Sequence, residues 1–431
     1  DNNNPLGASS LNPEDLKNMG LPFDPSMMQG ILEQMNTMFS INATPGSTPE
    51  QGVNWTGVKD QARRMIAADS DPSIAENLKQ ATADAAHLAD LWLDSVTVFE
   101  RHNIPVEAWS KAEWLDASFN SWREMVEPVA AEVTQAMVLP GADNVPEELT
   151  QLLGNSGFLN NLGSTFFGIQ MAQALASLAN EVYSSTDIGF PLAPGRTALL
   201  PNGFKTLGDE IEVPAQEVLL YLAVRESALI RLHRTNPWLR EDIMALVSRY
   251  ARGIRVDMNR IQDAASQVNM HDPEAVQEAF EGGMFNPQRT EDQELAVERL
   301  EALLALIEGW VSFVADQATQ NLPKAPQIAE TFARRRVEGG PSEQVFETLV
   351  GLEIRPRMVR EATAFWRDYD EKHGFEARDN LWLAPETLPT AKELENFKKY
   401  EDRVSEQLSF DDVDFDSELK KLLDGGYDDN K

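Results

Sequence analysis

Cysteine is absent from the 431 residues. That excludes disulfides, thiolate nucleophiles, iron–sulfur clusters and cysteine-type zinc sites together, and it fits a reducing cytoplasm. Histidine is scarce. Only His87, His102, His233, His271 and His373 occur, and no two stand close enough in sequence to form a local metal pair. A metal site would need long-range assembly or carboxylates. Basic residues are outnumbered, 37 against 70 acids, for a formal net charge of -33. Such a surface repels phosphate backbones and anionic lipid, so neither nucleic-acid binding nor membrane attachment is expected. There is no apolar run of about 18 residues and no basic-then-apolar signal-peptide pattern. A soluble, cytoplasmic protein is expected. Also missing are a G-x-S-x-G nucleophile elbow and a G-K-S/T phosphate loop.

What is present is helix. With 42% hydrophobic residues the chain can bury a large core. Apolar residues recur at spacings of three and four through 57–68, 72–96, 112–138, 161–185, 216–233, 237–254, 256–268, 273–283, 294–319, 327–337, 341–352 and 357–374. Asp71-Pro72 and Pro105 stand where helix starts are expected, and residues 139–157 read as a Gly/Pro-containing loop. The nine tryptophans read as core anchors rather than a binding platform. Residues 184–216 are the least helical part, with "TALLP" and "EIEV" as candidate short strands between turns. The fold class is therefore mainly α, with at most a small β element around 184–216.

Three regions follow from composition. Residues 1–52 form a Met/Asn/Pro-rich arm with one amphipathic piece between Pro25 and Phe39, whose Met27, Met28, Met35 and Met38 offer an adaptable contact surface. Residues 53–400 form the helical domain. Residues 401–431 carry eleven acids and four bases, an acidic tail with a candidate short helix around "DSELKKLLD". Arm and tail are the candidate contacts for a protein partner.

Two glutamates interrupt runs that otherwise look buried: Glu226 in "LLYLAVRESALIRL" and Glu308 in "ALLALIEGWVSFV". A lone carboxylate in an apolar helix is costly unless it meets a cation, a metal or several donors. Either each is neutralised by an arginine, with Arg225, Arg231, Arg249, Arg252 and Arg255 available, or the two face each other across one site as base and metal-binding carboxylate. His233 lies two turns, roughly 10 Å, from Glu226, too far to share one ion in the usual i, i+4 arrangement, and reads as structural.

The run "YLAVRESALIRLHRTNPWLREDIMALVSRYARGIRVD" resembles the actinobacterial zincin-like family of zinc-dependent metalloproteases and hydrolases. So do "NLGSTFFGIQMAQALASLANEVYSSTDIGFPL", "LEALLALIEGWV" and "ARDNLWLAPETLPT", and the likeness covers about 55 to 400. The resemblance implies a mostly helical zincin-like fold with an H-E-x-x-H or R-E-x-x-H helix and a downstream glutamate ligand. Glu226 matches the catalytic glutamate, Glu308 the third-ligand position, Arg225 the first histidine and Leu229 the second. At Leu229 the chain departs from the pattern. It therefore reads as a zincin-like protein without its zinc, a non-catalytic binding or scaffolding protein in which Arg225 replaces the ion's charge and Leu229 fills its space. No cofactor is expected on that reading. The alternative is an active zinc metallopeptidase with an unorthodox site, Glu226 as base and Glu308 or His233 as ligands.

Overall fold

The computed structural model describes residues 52–136, 156–253, 290–337 and 358–406. Several expectations lie outside these residues: the arm with its four methionines, nearly all of the 139–157 loop, helices 256–268, 273–283 and 341–352, His271, and the acidic tail beyond Glu406. The chain partitions at Gln51–Gly52, and all described residues belong to the second unit.

That unit is built of helices: α1 (Trp55–Ala68), α2 (Glu76–Leu93), α3 (Lys111–Ala136), α4 (Ser156–Glu181), α5 (Phe204–Glu210), α6 (Ala215–Thr235), α7 (Trp238–Arg252), α8 (Glu291–Ala318), α9 (Ala325–Val337), α10 (Val359–Asn380) and α11 (Ala391–Leu394). Among the described residues, sheet structure is confined to β1 (Val106–Ala108) and β2 (Thr197–Leu199), paired in parallel with Val106 opposite Thr197, and to a bridge from Ser184 to Leu199.

Helix α6 is buried on nearly every side from Val218 to His233, as its near-continuous apolar sequence requires. It packs on α2, α5, α8, α9 and β2. Helix α8 lies between α6, α7 and α10, and Gly309 permits the α10 crossing. A Cβ there would stand 2.8 Å from Ala362 Cβ and from the Thr363 amide nitrogen. Tryptophans 109, 114, 122, 310, 366 and 382 are all fully buried in the core.

Three local expectations differ from the structure. Asp71-Pro72 does not open a helix, since residues 71–75 are irregular. The Asp71 carboxylate instead accepts from the Lys111 and Ala112 amides, both at 2.9 Å, and so satisfies two orphan donors at the start of α3. Pro105 leads into β1, its extended φ/ψ preference serving a strand as well as a helix start. "EIEV" is the end of α5 and its exit turn: Glu212 sits at φ 53 and the Val213 amide donates to Gly208 at 2.8 Å. A side chain at Gly208 would stand 2.5 Å from the Val213 oxygen, so this glycine lets the chain fold back where alternation suggests a strand.

Candidate functional site

Arg225 and Glu226 are neighbours in α6, and consecutive helical residues point about 100° apart. They consequently serve different surroundings. Arg225 faces α8, where its Nη2 donates to Glu308 Oε1 at 2.6 Å and its Nη1 to Ser312 Oγ at 3.1 Å. Ser312, one turn from Glu308, donates to the same carboxylate oxygen at 3.2 Å. The Phe332 ring of α9 lies 5.9 Å from the guanidinium carbon. Burial works against the charge of Arg225, but the Glu308 carboxylate outweighs it and raises the pKa above its ordinary value. One turn earlier on this face, burial pushes the Tyr221 phenol up.

Glu226 turns instead toward the small sheet. It is 1% exposed. Its Oε1 accepts from the hydroxyls of Ser185 and of Thr197 (2.7 Å for the latter), and its Oε2 from Thr186. The donors converge because β2 pairs beside residues 183–185: Ser185 N donates to Ala198 O at 2.9 Å and Leu200 N to Tyr183 O at 2.9 Å. Burial raises the Glu226 pKa, and the hydroxyls partly offset that. The two carboxylates thus have different partners. Glu308 meets an arginine, whereas Glu226 meets hydroxyls, which differs from both sequence alternatives for Glu226. A hydroxyl cage is a reasonable answer to burial, since each hydroxyl donates one hydrogen without bringing a second charge.

Leu229, one turn beyond Arg225, is 3% exposed within the core. His233 is also buried, and its Nε2 lies 3.2 Å from Gly189 O. Burial lowers its pKa to about 4, so the ring is neutral and Nε2 carries the donated hydrogen. Arg231 is spent on α2 and its exit: it donates to Asp90 Oδ1 (2.7 Å), Asp94 Oδ1 (3.0 Å) and the oxygens of Asp90 and Phe99. His102 is buried in the segment before β1, and burial lowers its pKa. His87 and His373 are exposed.

The zinc that the resemblance implies does not fit these residues. A tetrahedral site takes imidazole, carboxylate or thiolate donors. At the two motif positions stand a guanidinium, which only donates hydrogens, and an aliphatic branch with no donor atom. Glu308 is committed to that guanidinium and Glu226 to three hydroxyls. Among the described residues no group of three or more His, Asp or Glu is placed to hold an ion.

Sequence reasoning overlooked two sets of residues. One is the cage itself, Ser185, Thr186 and Thr197, whose only local signal is the hydroxyl run Ser184–Thr186. The other is Asp379, fully buried at the end of α10, which accepts from Thr97 Oγ1 (2.6 Å), Val98 N (2.9 Å), Trp310 Nε1 (2.9 Å) and Arg378 Nε (2.8 Å).

A family model described as zincin-like metallopeptidase matches residues 53–400. No curated protein matches the chain. A solved structure from Chloroflexus aurantiacus, described as "a putative hydrolase with a novel fold", is similar with a TM-score of 0.58 and 18% identity, covering 82% of this chain and 99% of its own. That likeness is one of fold. No helix among the described residues is long and apolar enough to cross a membrane.

Proposed function

The chain belongs to the zincin-like metallopeptidase family, and on that premise we propose that it is a non-catalytic member, a cytoplasmic binding or scaffolding protein. The observation that carries this reading is the Arg225–Glu308 pair. A catalytic zinc site holds three protein ligands and keeps a fourth position open for water. Here the first motif position supplies a fixed positive charge, 2.6 Å from the carboxylate that the resemblance assigns to the metal. The second position supplies buried hydrocarbon. Nothing at either place can bind or release a ligand.

The family's general base is likewise unsuited to its task. A base must reach the proton it removes within hydrogen-bond distance. Glu226 is enclosed, its oxygens are engaged by hydroxyls, and its surroundings favour the protonated form. What remains is a rigid helical body. The arm methionines 27, 28, 35 and 38 and the acidic tail are its proposed contacts with a protein partner.

The test is a peptidase assay across a mixed peptide library, with Glu226→Gln beside the unaltered protein. The reading predicts identical background cleavage for both. Cleavage that is lost in Glu226→Gln and restored by added zinc in the unaltered protein would overturn it and favour an active hydrolase.

A further inference from the structure

A cleft of about 360 Å³ opens between α7, α8 and residues 385–391, away from the Arg225–Glu226 helix. Its size falls in the range of ligand-sized pockets. The floor is apolar, made by Leu303, Leu306 and Leu388 with Trp238 on one side. The edges are apolar too, and there the side chains meet solvent. Leu295, which lines the cleft, is 52% exposed. Leu383 is 65% exposed and stands at the Trp238 end, because the backbone oxygen of its neighbour Trp382 accepts from Trp238 Nε1 at 3.0 Å. These are the two most exposed large apolar side chains among the described residues. A single exposed leucine is ordinary, but two of them bordering one apolar cleft mark an interaction surface.

The unmatched charge beside this surface has one sign. Arg299 pairs with Asp242 at 2.8 Å, and Arg249 pairs with Asp292, so both rim guanidiniums are already engaged. Glu291, Glu294 and Glu298 follow one another along α8 at helical spacings, all exposed, and none has an ion-pair partner among the described residues. Glu291 and Glu294 lie in the first turn, where acids favour the helix dipole. Glu298 lines the cleft two turns in, beyond the reach of that effect. A second copy of the chain, at a formal net charge of -33, would bring like charge to these acids, and so would the chain's own tail with its eleven acids and four bases. No strand borders the cleft, so its walls offer side-chain anchorage rather than main-chain pairing.

We propose that the cleft between α7, α8 and residues 385–391 binds a basic amphipathic helix of a partner protein, aliphatic on the face that enters the cleft and carrying lysines or arginines along its flank. The aliphatic anchors bury against the leucine floor between the Leu295 and Leu383 edges, and the cations lie toward Glu294 and Glu298. Helix-in-groove recognition of this kind takes its affinity from a few buried anchors. The rim charges govern the rate of encounter and the choice of partner. Neither Arg225 nor Glu308 lines the cleft, so this binding is independent of the zinc question.

The probe is a labelled leucine–lysine peptide with every leucine on one helical face, titrated against the full chain by fluorescence anisotropy. Its control is a scrambled peptide of the same composition, whose leucines surround the helix. The amphipathic peptide should bind roughly tenfold more tightly than the scrambled one, the difference made by one well-seated anchor. Leu295→Asp should remove that preference. Glu294→Lys with Glu298→Lys should weaken binding by about the same factor, most strongly at low salt. Two controls on α2, which takes no part in the cleft, should change neither: Leu91→Asp, at a comparably exposed leucine, and the charge reversal Glu76→Lys with Asp84→Lys. Equal binding of the two peptides, or a preference that survives Leu295→Asp, would overturn the proposal. So would equal losses in the α2 variants, which mark a general attraction to an acidic protein. Self-association of the unaltered chain that Leu295→Asp abolishes would also overturn it, by assigning the cleft to a second copy.

Discussion

Replacing Arg225 by methionine strips the positive charge from a pair whose side chains are only 10% and 7% exposed. Solvent screens such a pair weakly, so the loss is governed by the carboxylate left behind. Removing one partner of a buried ion pair costs about 3–5 kcal/mol, and Ser312 cannot supply the missing charge. Removing both charges is different. Arg225→Met with Glu308→Leu replaces the pair by hydrocarbon beside Phe332, and substitutions of that kind are neutral to within about 1 kcal/mol or stabilising. Chemical denaturation of the four proteins of the cycle, unaltered, two singles and the double, gives the coupling term. The expected pattern is a large loss for Arg225→Met, a smaller loss for Glu308→Leu, and recovery in the double substitution. A single Arg225→Met that costs less than about 0.5 kcal/mol, or a double equal to the sum of the singles, would refute the claim that the guanidinium holds α6 to α8.

Other outcomes follow from the same geometry. The raised pKa of Glu226 means its protonated form supports the fold; that contribution is complete below the ordinary carboxylate value of 4.5 and is lost as pH rises through the folded value. Glu226→Gln should therefore gain in melting temperature relative to the unaltered protein as pH is raised, and parallel curves would contradict this. For His233 the sign is opposite. Its pKa falls to about 4 in the fold, so its share of stability is present above pH 6.5 and disappears as pH drops toward 4. Imidazole NMR should show this ring neutral at pH 5.5, and protonation near 6.5 in the folded protein would count against its burial. Gly309→Ala puts a methyl 2.8 Å from Ala362 Cβ and the Thr363 backbone; overpacking of that kind costs about 1–3 kcal/mol, measurable by denaturation, and a neutral result would mean that α8 and α10 do not cross so closely.

How much of this could be read from residues alone depends on the range of the interaction. The long helices were legible from their apolar spacing, whereas the short α5, inside the stretch expected to be least helical, and α11 were not. Trp114 and Trp122 in α3 and Trp310 in α8 fall on apolar faces that the spacing marks directly. Strand β2 was visible in "TAL", flanked by turns, but β1 was not. Three residues after a proline hold no period, and their partner lies across two long helices in sequence. "EIEV" failed for the opposite reason: the alternation is real, yet a close approach at Gly208 overrides it. At the candidate site, Arg225 and Leu229 could be singled out because the frame around Glu226 is local. The partners of Glu226 could not, because Ser185, Thr186 and Thr197 reach it only once β2 and residues 183–185 are paired. A buried acid announces that it needs donors, but its own helix does not name them.

A site filled by protein rather than by an ion should hold no zinc, and metal content tests that most directly. Protein prepared without chelator, equilibrated with excess zinc and then desalted, should retain far less than one zinc per chain, with no change on Glu308→Gln. Retention of about one zinc per chain that Glu308→Gln abolishes would show that the guanidinium yields its place to a metal, and the central claim would fall.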